Sequence, residues 1–524
     1  MIREEITKLI INSIREGISL KFDLKDIKIE QPENAAHGDY STNVAFRIAG
    51  ILKQTPLIVA ENLRPRLLRS GVGLVERVEI AEPGFLNFFL SKERLEREIK
   101  DILKEKGNYG QLADRDKKIQ IEFVSANPTG PLTVGNARGG PLGDVLGNIF
   151  KKAGFKTKKA YYINDHGMQI LDLGHSVLKD EGAKYQGVYL DDLSKKNKEK
   201  DPFRAGQWAA KAILKESIQK TLANLGIKYD EWFSEAKLHQ SKAVDKVLDI
   251  LRKKDLIYEK DGAQWFKSSN FGDERDRVVV KGDGNKTYLA GDIAYHYYKF
   301  QHKKFDRAIN IWGADHYGDV PGLKAGVEAL GFKDQLDFIL LQFVTLLENG
   351  QTLKMSKREG NYVAMDELLA TVGKDVTRFF FLQKSADSHL NFDLVLAKEQ
   401  SEKNPVFYVQ YAYARICSIL TKARKFKIST DKINLLSHPS ELKLIKELVR
   451  FPEIIEEVAK DYQVQRLPQY AMDLSASFHQ FYADCKVLSE NSSLTQARLA
   501  LISAAKIVLK NTLNLMGISA PEKM

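Results

Sequence analysis

Two short loops of this sequence carry residue types that can bind phosphate. The first spans residues 122–144, EFVSANPTGPLTVGNARGGPLGD, where an apolar strand runs into a loop rich in Gly and Pro and then into a helix predicted to begin near Asn136. Four glycines remove side chains near its backbone: Gly130, Gly135, Gly139 and Gly140. Phosphate can approach such a backbone closely, and a helix N-terminus offers unpaired N–H groups and the positive end of its dipole. An ordinary strand-to-helix turn is the simpler interpretation of the glycines alone, because neither the G-x-G-x-x-G nor the G-x-x-x-x-G-K-[ST] pattern occurs here.

The second loop is basic and short, LKMSKREGN over residues 353–361. Its three cations, Lys354, Lys357 and Arg358, stand beside a glycine, which suits a clamp on a polyphosphate. A lysine is a point charge that can stabilise the negative charge developing on a phosphate during transfer. By itself, however, this loop is interpreted more simply as a solvated surface loop.

The composition sets the size and class of the protein that must position these loops. A length of 524 residues indicates three or four domains at about 150 residues each, which excludes a single small binding module. Hydrophobic residues make up 43% of the chain, enough to bury several cores and to exclude wholesale disorder. The formal net charge of +11 favours a polyanionic partner such as nucleic acid or a phosphate-rich substrate.

The cysteines and the hydropathy pattern indicate a cytoplasmic protein. Cys417 and Cys485 allow at most one disulfide and no four-cysteine zinc site, which fits a reducing compartment. Residues 1–20 have acidic residues within their apolar pattern, which predicts an amphipathic helix and not a signal peptide. No run of about 18 apolar residues occurs, so we expect no membrane span.

The chain divides into three predicted domains. Residues 1–112 alternate helix-like and strand-like segments and predict a compact N-terminal α+β domain. Residues 113–374 alternate short β-rich runs with helical stretches, which predicts an α/β core with a Rossmann-type parallel sheet. Within this core, a segment rich in Lys and Glu at about 174–277 is predicted to be a helical connective insert. Residues 375–524 predict a C-terminal all-α domain.

Together the two loops resemble the two signatures of class I aminoacyl-tRNA synthetases, an H-I-G-H-like string after the first strand of a Rossmann sheet and a K-M-S-K-S-like loop after the last. Here the matching strings run from Thr133 to Asn136 and from Lys354 to Arg358. Wider strings resemble the arginyl-tRNA synthetase family over essentially the whole chain: SANPTGPL from Ser125, YYINDHGMQI from Tyr161, GADHYGDVPGLKA from Gly313 and NPVFYVQYAYARICSIL from Asn404.

The signatures depart from the family pattern in two ways. Thr133 and Asn136 replace both signature histidines, in a T-x-G-N form similar to that of tryptophanyl-tRNA synthetases. A hydroxyl and an amide still donate hydrogen bonds to phosphate oxygens, so the job implied is stabilisation of the transition state and not proton transfer. Many arginyl enzymes lack the second lysine of the other loop, whereas this sequence retains Lys357.

The resemblance implies ATP-dependent activation of L-arginine to arginyl-adenylate and transfer of the arginyl group to the 3′ terminal ribose of tRNA(Arg). ATP enters with Mg²⁺ as a substrate complex, and no tightly bound protein metal site is expected. The family also needs its tRNA bound before it activates the amino acid. The implied catalytic residues are Thr133, Asn136, Lys354 and Lys357. The implied ATP-binding residues are Gly130, Pro131, Gly135, Met355 and Ser356.

A guanidinium substrate calls for carboxylates and other acceptors around its fork. By similarity, the arginine pocket is expected to be lined by Glu122, Ser125, Asn127, Tyr288, Asp292, Asp315 and His316. Two of these residues have simpler interpretations when taken singly. Tyr288 fits a packed core aromatic, and Asp292 fits a helix cap.

Both end domains are expected to bind tRNA by similarity. Asn34, Tyr40 and Asn43 lie in a part that resembles the family's extra N-terminal domain, which touches the tRNA elbow. In the C-terminal domain the expected contacts are Tyr408, Tyr411, Arg415 and Met524, since exposed aromatic rings stack on unpaired bases and cations contact phosphates. The alternative is that these tyrosines belong to the core.

Two other functions remain open at this stage. An adenylate-forming nucleotidyltransferase shares both loops but has no use for an anticodon-type helical domain. A noncatalytic tRNA-binding relative shares the domains, but the retained Lys357 argues against it. The partners expected are tRNA(Arg), ATP and L-arginine, with no membrane, and the protein is expected to be a monomer.

Overall fold

A computed structural model of the chain describes residues 1–16, 27–32, 34–353 and 363–524. The basic loop with Lys354, Met355, Ser356 and Lys357 lies outside the described residues. The roles predicted for these four residues therefore stay predictions from the sequence.

The N-terminal part combines helices with one antiparallel sheet, which confirms the predicted α+β class. The strands are β1 (Ile29–Glu30), β2 (Tyr40–Thr42), β3 (Val75–Ala81) and β4 (Phe85–Leu90), in the sheet order β1-β2-β4-β3. The helices are α1 (Ile2–Arg15), α2 (Val44–Leu52), α3 (Pro56–Ser70) and α4 (Lys92–Glu105). Helix α4 begins at the side-chain cap of Ser91 and buries Leu95, Ile99 and Ile102 at helical spacing.

The central part is built on a parallel sheet of five strands in the order β12-β11-β5-β6-β7, which confirms the predicted Rossmann-type core. Its strands and those of a small antiparallel sheet are β5 (Lys118–Glu122), β6 (Lys156–Ile163), β7 (Glu231–Ser234), β8 (Ile257–Lys260), β9 (Ala263–Phe266), β10 (Arg277–Val280), β11 (Arg307–Gly313) and β12 (Leu336–Leu341). The helices are α5 (Val134–Ala137), α6 (Gly139–Lys152), α7 (Met168–Leu178), α8 (Val188–Lys196), α9 (Pro202–Ile213), α10 (Gln219–Asn224), α11 (Glu235–Gln240), α12 (Ala243–Lys253), α13 (Tyr288–Tyr297) and α14 (Val320–Ala329).

The strand order defines a crevice at one edge of this sheet. From β5 the chain moves to β6 and β7 on one side, and it later returns to β11 and β12 on the other side. The loops that follow β5 and β11 therefore diverge between the two neighbouring strands. Ligands of open parallel sheets bind in such a crevice, outside the carboxyl ends of the strands.

The segment at about 174–277 is not only helical, as the sequence predicted. It also contains β7, the hairpin of β8 and β9, and the first residue of β10. These strands have four residues each, too few for a β pattern to stand out from the helical background. The hairpin turn had a recognisable signal, because Asp261 and Gly262 both take positive φ, as the Asp-Gly pair of a type I′ turn requires.

The C-terminal part is a helical bundle that follows a small three-stranded sheet. The elements are β13 (Val344–Glu348), β14 (Gln351–Thr352), α15 (Met365–Leu382), β15 (Leu390–Asp393), α16 (Leu394–Lys398), α17 (Pro405–Lys422), α18 (Pro439–Val449), α19 (Phe451–Asp461), α20 (Arg466–Asp484) and α21 (Ser492–Met516). Strand β15 lies in the range predicted to be all helical, and it pairs in parallel with β13. Helix α21 is long and apolar enough to cross a membrane, but 72% of its most apolar window is buried inside the structure.

A buried guanidinium joins the helical bundle to the parallel sheet. Arg378 donates hydrogen bonds to Asp144 Oδ2 of α6 at 2.6 Å and to the carbonyl oxygen of Met516 at the end of α21, also at 2.6 Å. Gly517 follows with a φ of 67°, and a Cβ there would come within 2.5 Å of the Arg378 guanidinium. Glycine is favoured at this position because it adopts the positive φ that ends α21 and because it leaves room for the Arg378 guanidinium.

Candidate active site

The two residues that replace the signature histidines contact each other. Thr133 caps the N-terminus of α5, and its hydroxyl donates to Asn136 Oδ1 at 2.7 Å. The same hydroxyl accepts a hydrogen bond from the backbone N–H of Asn136 at 3.3 Å. The first strand of the parallel sheet thus leads into a loop whose polar side chains are held in a fixed arrangement at the edge of the crevice.

The chain that leaves the basic loop is attached to this signature. Val134 donates a backbone hydrogen bond to the carbonyl of Val363 at 3.4 Å, and Met365 donates one to the carbonyl of Leu132 at 2.8 Å. Thr133 and Ala364 form an antiparallel bridge between these two bonds. Val363 directly follows residues 354–362 in the chain, so the two predicted phosphate loops are joined at their bases.

The four glycines of the first loop have different roles. A Cβ on Gly140 would come within 2.6 Å of Ile227 Cδ1, and one on Gly139 within 3.0 Å of Leu341 Cδ1. These two glycines let α6 pack closely on its neighbours, so the prediction that they open the backbone to phosphate is wrong for them. A Cβ on Gly130 would meet the Tyr189 hydroxyl at 3.2 Å, whereas one on Gly135 would meet open space.

Three carboxylates form an acidic pocket beside the crevice. They are Glu122 at the end of β5, Glu235 at the start of α11 and Asp292 in α13. Burial raises the pKa of Asp292 well above its usual value, and the charges of Glu122 and Glu235 raise it further. Such a cluster favours a cationic ligand, since a cation would stabilise the ionised carboxylates.

The sequence interpretation missed Glu235. Its side chain is buried, and its Oε2 atom has no hydrogen-bond partner among the described residues. The hydroxyl of Tyr162 on β6 is likewise buried without a partner in the described part of the chain. A buried acceptor without a donor is costly, so these atoms mark a place for a ligand. The available signal was an acidic residue directly after a short strand, but β7 itself was not predicted.

Glu122 is the carboxylate of this cluster whose two oxygens both contact protein donors. Lys299 donates to Glu122 Oε2 at 2.6 Å, and the Ser125 hydroxyl donates to Glu122 Oε1 at 3.4 Å. Each carboxylate oxygen therefore already accepts a hydrogen bond from a protein group, and the direct contact of Glu122 with arginine stays a prediction. The partner lysine is 177 residues further along the chain, so no local pattern could indicate it.

The other predicted arginine contacts lie in two places, some near the floor of the crevice and some nearer the solvent. Near the floor, Ser125 accepts a hydrogen bond from the backbone N–H of Tyr162 at 3.0 Å, and Asn127 Oδ1 accepts one from the Asn164 side chain. Nearer the solvent, Asp315 and His316 follow β11, with side-chain exposures of 65% and 56%. The strands that carry these residues are neighbours in the sheet, so the carboxyl edge brings them to one side.

Neither simpler interpretation of Tyr288 and Asp292 holds. Tyr288 is 65% exposed at the first position of α13, so it is not a packed core aromatic. Thr287 caps this helix through its hydroxyl, and Asp292 lies one turn inside, so Asp292 is not the cap.

The N-terminal residues predicted to bind tRNA lie in different environments. Asn34 is exposed, and its side chain accepts a hydrogen bond from the backbone N–H of Ala36 at 2.9 Å. Asn43 Oδ1 is buried and lacks a partner among the described residues. Tyr40 is only 1% exposed and donates to Glu453 Oε1 of α19 at 2.9 Å, so the prediction that it contacts tRNA is wrong. Its hydroxyl instead links the N-terminal sheet to the helical bundle through this hydrogen bond.

Aromatic rings form a partly exposed surface between α17 and α20. Tyr411 lies parallel to Phe407 at 6.4 Å between ring centroids, and Tyr408 packs against His479 at 4.9 Å. The Arg415 guanidinium lies 5.1 Å from the Tyr411 ring centroid. Tyr411 is 37% exposed, so the core alternative does not apply to it, whereas Tyr408 is partly buried. Met524 is 54% exposed.

Comparison with known proteins covers the chain from end to end. Three protein-family models match: the arginyl tRNA synthetase N terminal domain at residues 2–90, the catalytic domain of class I (R) tRNA synthetases at residues 98–200 and 188–385, and the DALR anticodon binding domain at residues 409–524.

Similar proteins and structures agree with these matches. The arginine–tRNA ligase of Desulforamulus reducens is 42% identical over 544 residues, covering 98% of this chain and 97% of the relative. Arginine–tRNA ligase 1 of Halalkalibacterium halodurans is 40% identical over 552 residues, covering 100% and 98%. The crystal structure of arginyl-tRNA synthetase from Thermus thermophilus has the same fold, with a TM-score of 0.79 at 23% identity over 100% of both chains. The chain belongs to the arginyl-tRNA synthetase family of class I.

Proposed function

We propose that the crevice at the ends of β5 and β11 binds ATP and that the acidic pocket beside it binds arginine. As an arginine–tRNA ligase, the enzyme joins arginine to tRNA(Arg) in two steps. The arginine carboxylate attacks the α-phosphate of ATP, which forms arginyl-adenylate and releases pyrophosphate. The terminal ribose hydroxyl of the tRNA then attacks the arginyl carbonyl, and AMP leaves.

The observation that carries this proposal is the junction of the two phosphate loops. The backbone bonds of Val363 and Met365 to the signature fix the base of the basic loop beside Thr133 and Asn136. Positioning and charge neutralisation dominate phosphoryl chemistry, and donors fixed before the reaction cost little reorganisation. We assign the stabilisation of phosphate charge to the catalytic set Thr133, Asn136, Lys354 and Lys357.

ATP is proposed to lie along the first loop, with Mg²⁺ on its phosphates. The open space at Gly135 leaves room for a phosphate near the backbone. The remaining residues proposed to contact ATP are Gly130, Pro131, Met355 and Ser356. The metal enters with the nucleotide, since phosphate oxygens supply several of the ligands that Mg²⁺ prefers.

The guanidinium of arginine is proposed to lie between Asp292 and Glu235. A planar guanidinium has five N–H donors, and acceptors are available on the Asp292 carboxylate, the Glu235 carboxylate and the Tyr162 hydroxyl. Of these, Glu235 Oε2 and the Tyr162 hydroxyl are buried and lack partners among the described residues. Ser125, Asn127 and Tyr288 are proposed to hold the amino-acid end of the substrate. Asp315 and His316 line the solvent side of the same crevice.

We propose three domains with the boundaries predicted from the sequence, at residues 112/113 and 374/375. The aromatic surface with Tyr408, Tyr411 and Arg415 is proposed to bind the anticodon, with Met524 at its edge. Asn34 and Asn43 are proposed to face the tRNA elbow. The enzyme is proposed to work as a monomer in the cytoplasm.

Exchange of pyrophosphate into ATP tests the assignment of the two pockets. With tRNA(Arg) present, we expect exchange to require arginine and to fail with lysine. Lysine would leave buried acceptors unpaired, at a cost of about 1 to 3 kcal/mol for each. Exchange supported equally well by lysine would contradict the proposed arginine pocket.

The proposed anticodon surface predicts a specific loss of tRNA affinity. Stacking of one base on an aromatic ring contributes about 1 to 3 kcal/mol, so Tyr411→Ala should raise the Kd for tRNA(Arg) by about 5-fold to 150-fold. Tyr411→Phe is the matched control, because it keeps the ring and should keep most of the affinity. Filter binding or fluorescence titration measures both Kd values. Equal losses in the two variants would show that the hydroxyl matters and the ring does not.

A further inference from the structure

A buried cation next to the arginine pocket has no role in the chemistry proposed so far. Lys299 is fully buried in a π-helical turn (Tyr298–His302) that extends α13. Besides Glu122 Oε2 at 2.6 Å, its ammonium group lies 3.2 Å from Asn310 Oδ1 and 3.3 Å from His296 Nε2. It also lies 4.3 Å from the centroid of the Tyr295 ring. The ammonium thus donates to Glu122 and Asn310, and its longer contact with His296 Nε2 shares that atom with the Asn310 amide.

The histidine in this cluster is neutral, so Glu122 is the charged hydrogen-bond partner of Lys299, while the charges of Asp292 and Glu231 act on the ammonium without a hydrogen bond to it. His296 Nδ1 lies 2.7 Å from the carbonyl oxygen of Asp292, an acceptor only, so Nδ1 carries the proton. Its Nε2 atom is then the acceptor for the Asn310 side-chain amide at 2.9 Å. Burial keeps the pKa of His296 well below its usual value, and the charge of Lys299 lowers it further.

Glu122 in turn holds the turn at the end of β5. Val124 and Ser125 have φ angles of 66° and 38°, in the left-handed region that side chains other than glycine rarely adopt. This conformation costs free energy and persists only where neighbouring groups enforce it, most of all at β-branched Val124. Here the Ser125 hydroxyl is held between Glu122 Oε1 and the backbone N–H of Tyr162. The turn redirects the chain from the strand into the signature loop.

We infer that Lys299 is a positioning residue for arginine activation: it anchors Glu122, which holds Ser125 in the left-handed turn that aims Asn127 and the signature loop at the substrates. The inference rests on the proposed assignment of this crevice to arginine and ATP. Lys299 also neutralises Glu122 from behind. The substrate guanidinium is then directed to Asp292 and Glu235 and has no competing carboxylate at the floor of the pocket.

Four variants of the full chain test this inference by pyrophosphate exchange with tRNA(Arg) present. Lys299→Met leaves Glu122 buried and unpaired, and we expect kcat/KM for arginine to fall by about 100-fold or more, the effect of removing one partner of a buried ion pair. The loss should appear in kcat as well as in KM, because the turn positions the loop for both substrates. In the double variant Glu122→Gln with Lys299→Met both charges are gone, and the amide oxygen of the glutamine introduced at position 122 would still accept from Ser125. We therefore expect the double variant to recover at least about tenfold over Lys299→Met.

Lys159→Met is the matched control. Lys159 makes an ion pair of the same length, 2.6 Å, with Asp144, and the two side chains are 6% and 7% exposed. Asp144 keeps Arg378 as a second cationic partner, so the control should fold. We expect its kcat/KM for arginine to stay within about threefold of the parent value, because Lys159 is not proposed to contact either substrate. If Lys159→Met loses as much kcat/KM for arginine as Lys299→Met does, the loss comes from general destabilisation of the fold. That result would overturn the inference.

The remaining outcomes separate this inference from the proposed pockets. Absence of arginine-dependent exchange in the parent enzyme would refute the proposed pockets themselves. An active parent with an unchanged Lys299→Met variant, or a double variant without recovery, would refute only the positioning role. If Lys299→Met does not fold, Glu122→Gln alone replaces it, because it leaves the Lys299 cation unpaired. We then expect the double variant to exceed Glu122→Gln in kcat/KM, and equal values would overturn the inference.

Discussion

Asp292→Asn is expected to lower kcat/KM for arginine activation by about two to three orders of magnitude. Truncating one member of a buried, hydrogen-bonded charge pair costs about 2 to 5 kcal/mol, and the asparagine amide cannot supply the charge that the guanidinium needs. The loss should appear mainly in the KM for arginine, with the Kd for ATP unchanged. Steady-state pyrophosphate exchange across arginine concentrations measures the KM for arginine. A binding titration with ATP measures the Kd for ATP. Asp249→Asn is the matched control, since Asp249 of α12 is 60% exposed and belongs to neither proposed pocket.

The same carboxyl predicts the sign of a pH effect on arginine binding. In the free enzyme the pKa of Asp292 is raised by burial and by the charges of Glu122 and Glu235. A bound guanidinium favours the carboxylate, so the pKa falls in the complex. Between the two pKa values binding releases a proton, and the affinity for arginine weakens as the pH falls through the higher value. Calorimetry in two buffers of different ionisation enthalpy detects this proton. If arginine binding still releases a proton in Asp292→Asn, the proton comes from another group.

Lys357→Ala is expected to slow arginyl-adenylate formation by about 100-fold to 1000-fold, the range found when one preorganised donor to a developing charge is removed. Only interactions stronger in the transition state than in the ground state raise the rate, so the Kd for ATP should change little. Single-turnover formation of arginyl-adenylate with tRNA bound measures this rate directly. Asn136→Ala should slow arginyl-adenylate formation in the same way, because the Asn136 amide is proposed to stabilise charge on the same phosphates.

A histidine at position 136 tests the unusual signature by a different property. Neither Thr133 nor Asn136 titrates near neutrality, so the activation step of the parent should not depend on their protonation. Asn136→His should introduce a pH dependence near the ordinary histidine pKa of about 6.5. Unchanged activation in both Lys357→Ala and Asn136→Ala would remove the two loops from the chemistry and favour the noncatalytic tRNA-binding alternative.

Local patterns sufficed to predict the structural class of each part of the chain, but not every strand. The strand before the signature loop is a short run of consecutive buried residues, the long C-terminal helices have periodic burial, and the parallel sheet follows from strand and helix alternation. The two phosphate loops were also recognisable, since their chemistry is contained in short strings. Asp292 and Tyr288 were identified from the family resemblance, and their positions in α13 agree with a pocket at the edge of the sheet.

The features that could not be predicted depend on contacts between residues far apart in the sequence. The ion pair between Glu122 and Lys299 joins residues 177 positions apart, and the hydrogen bond between Tyr40 and Glu453 joins residues 413 apart. Glu235 enters the pocket only because β7 adds a strand to the far side of the sheet, and that strand is too short to be predicted. Each of these three residues takes its role from a partner on another element.

The selectivity between arginine and citrulline measures directly whether the acidic pocket recognises the charge of the guanidinium. Citrulline has nearly the same shape as arginine but a neutral urea in place of the guanidinium, so it isolates recognition of the positive charge. We expect the parent enzyme to prefer arginine by at least about 1000-fold in kcat/KM, and we expect Asp292→Asn to lower this ratio by at least about tenfold. An unchanged ratio in the variant would contradict recognition of the guanidinium by the acidic pocket.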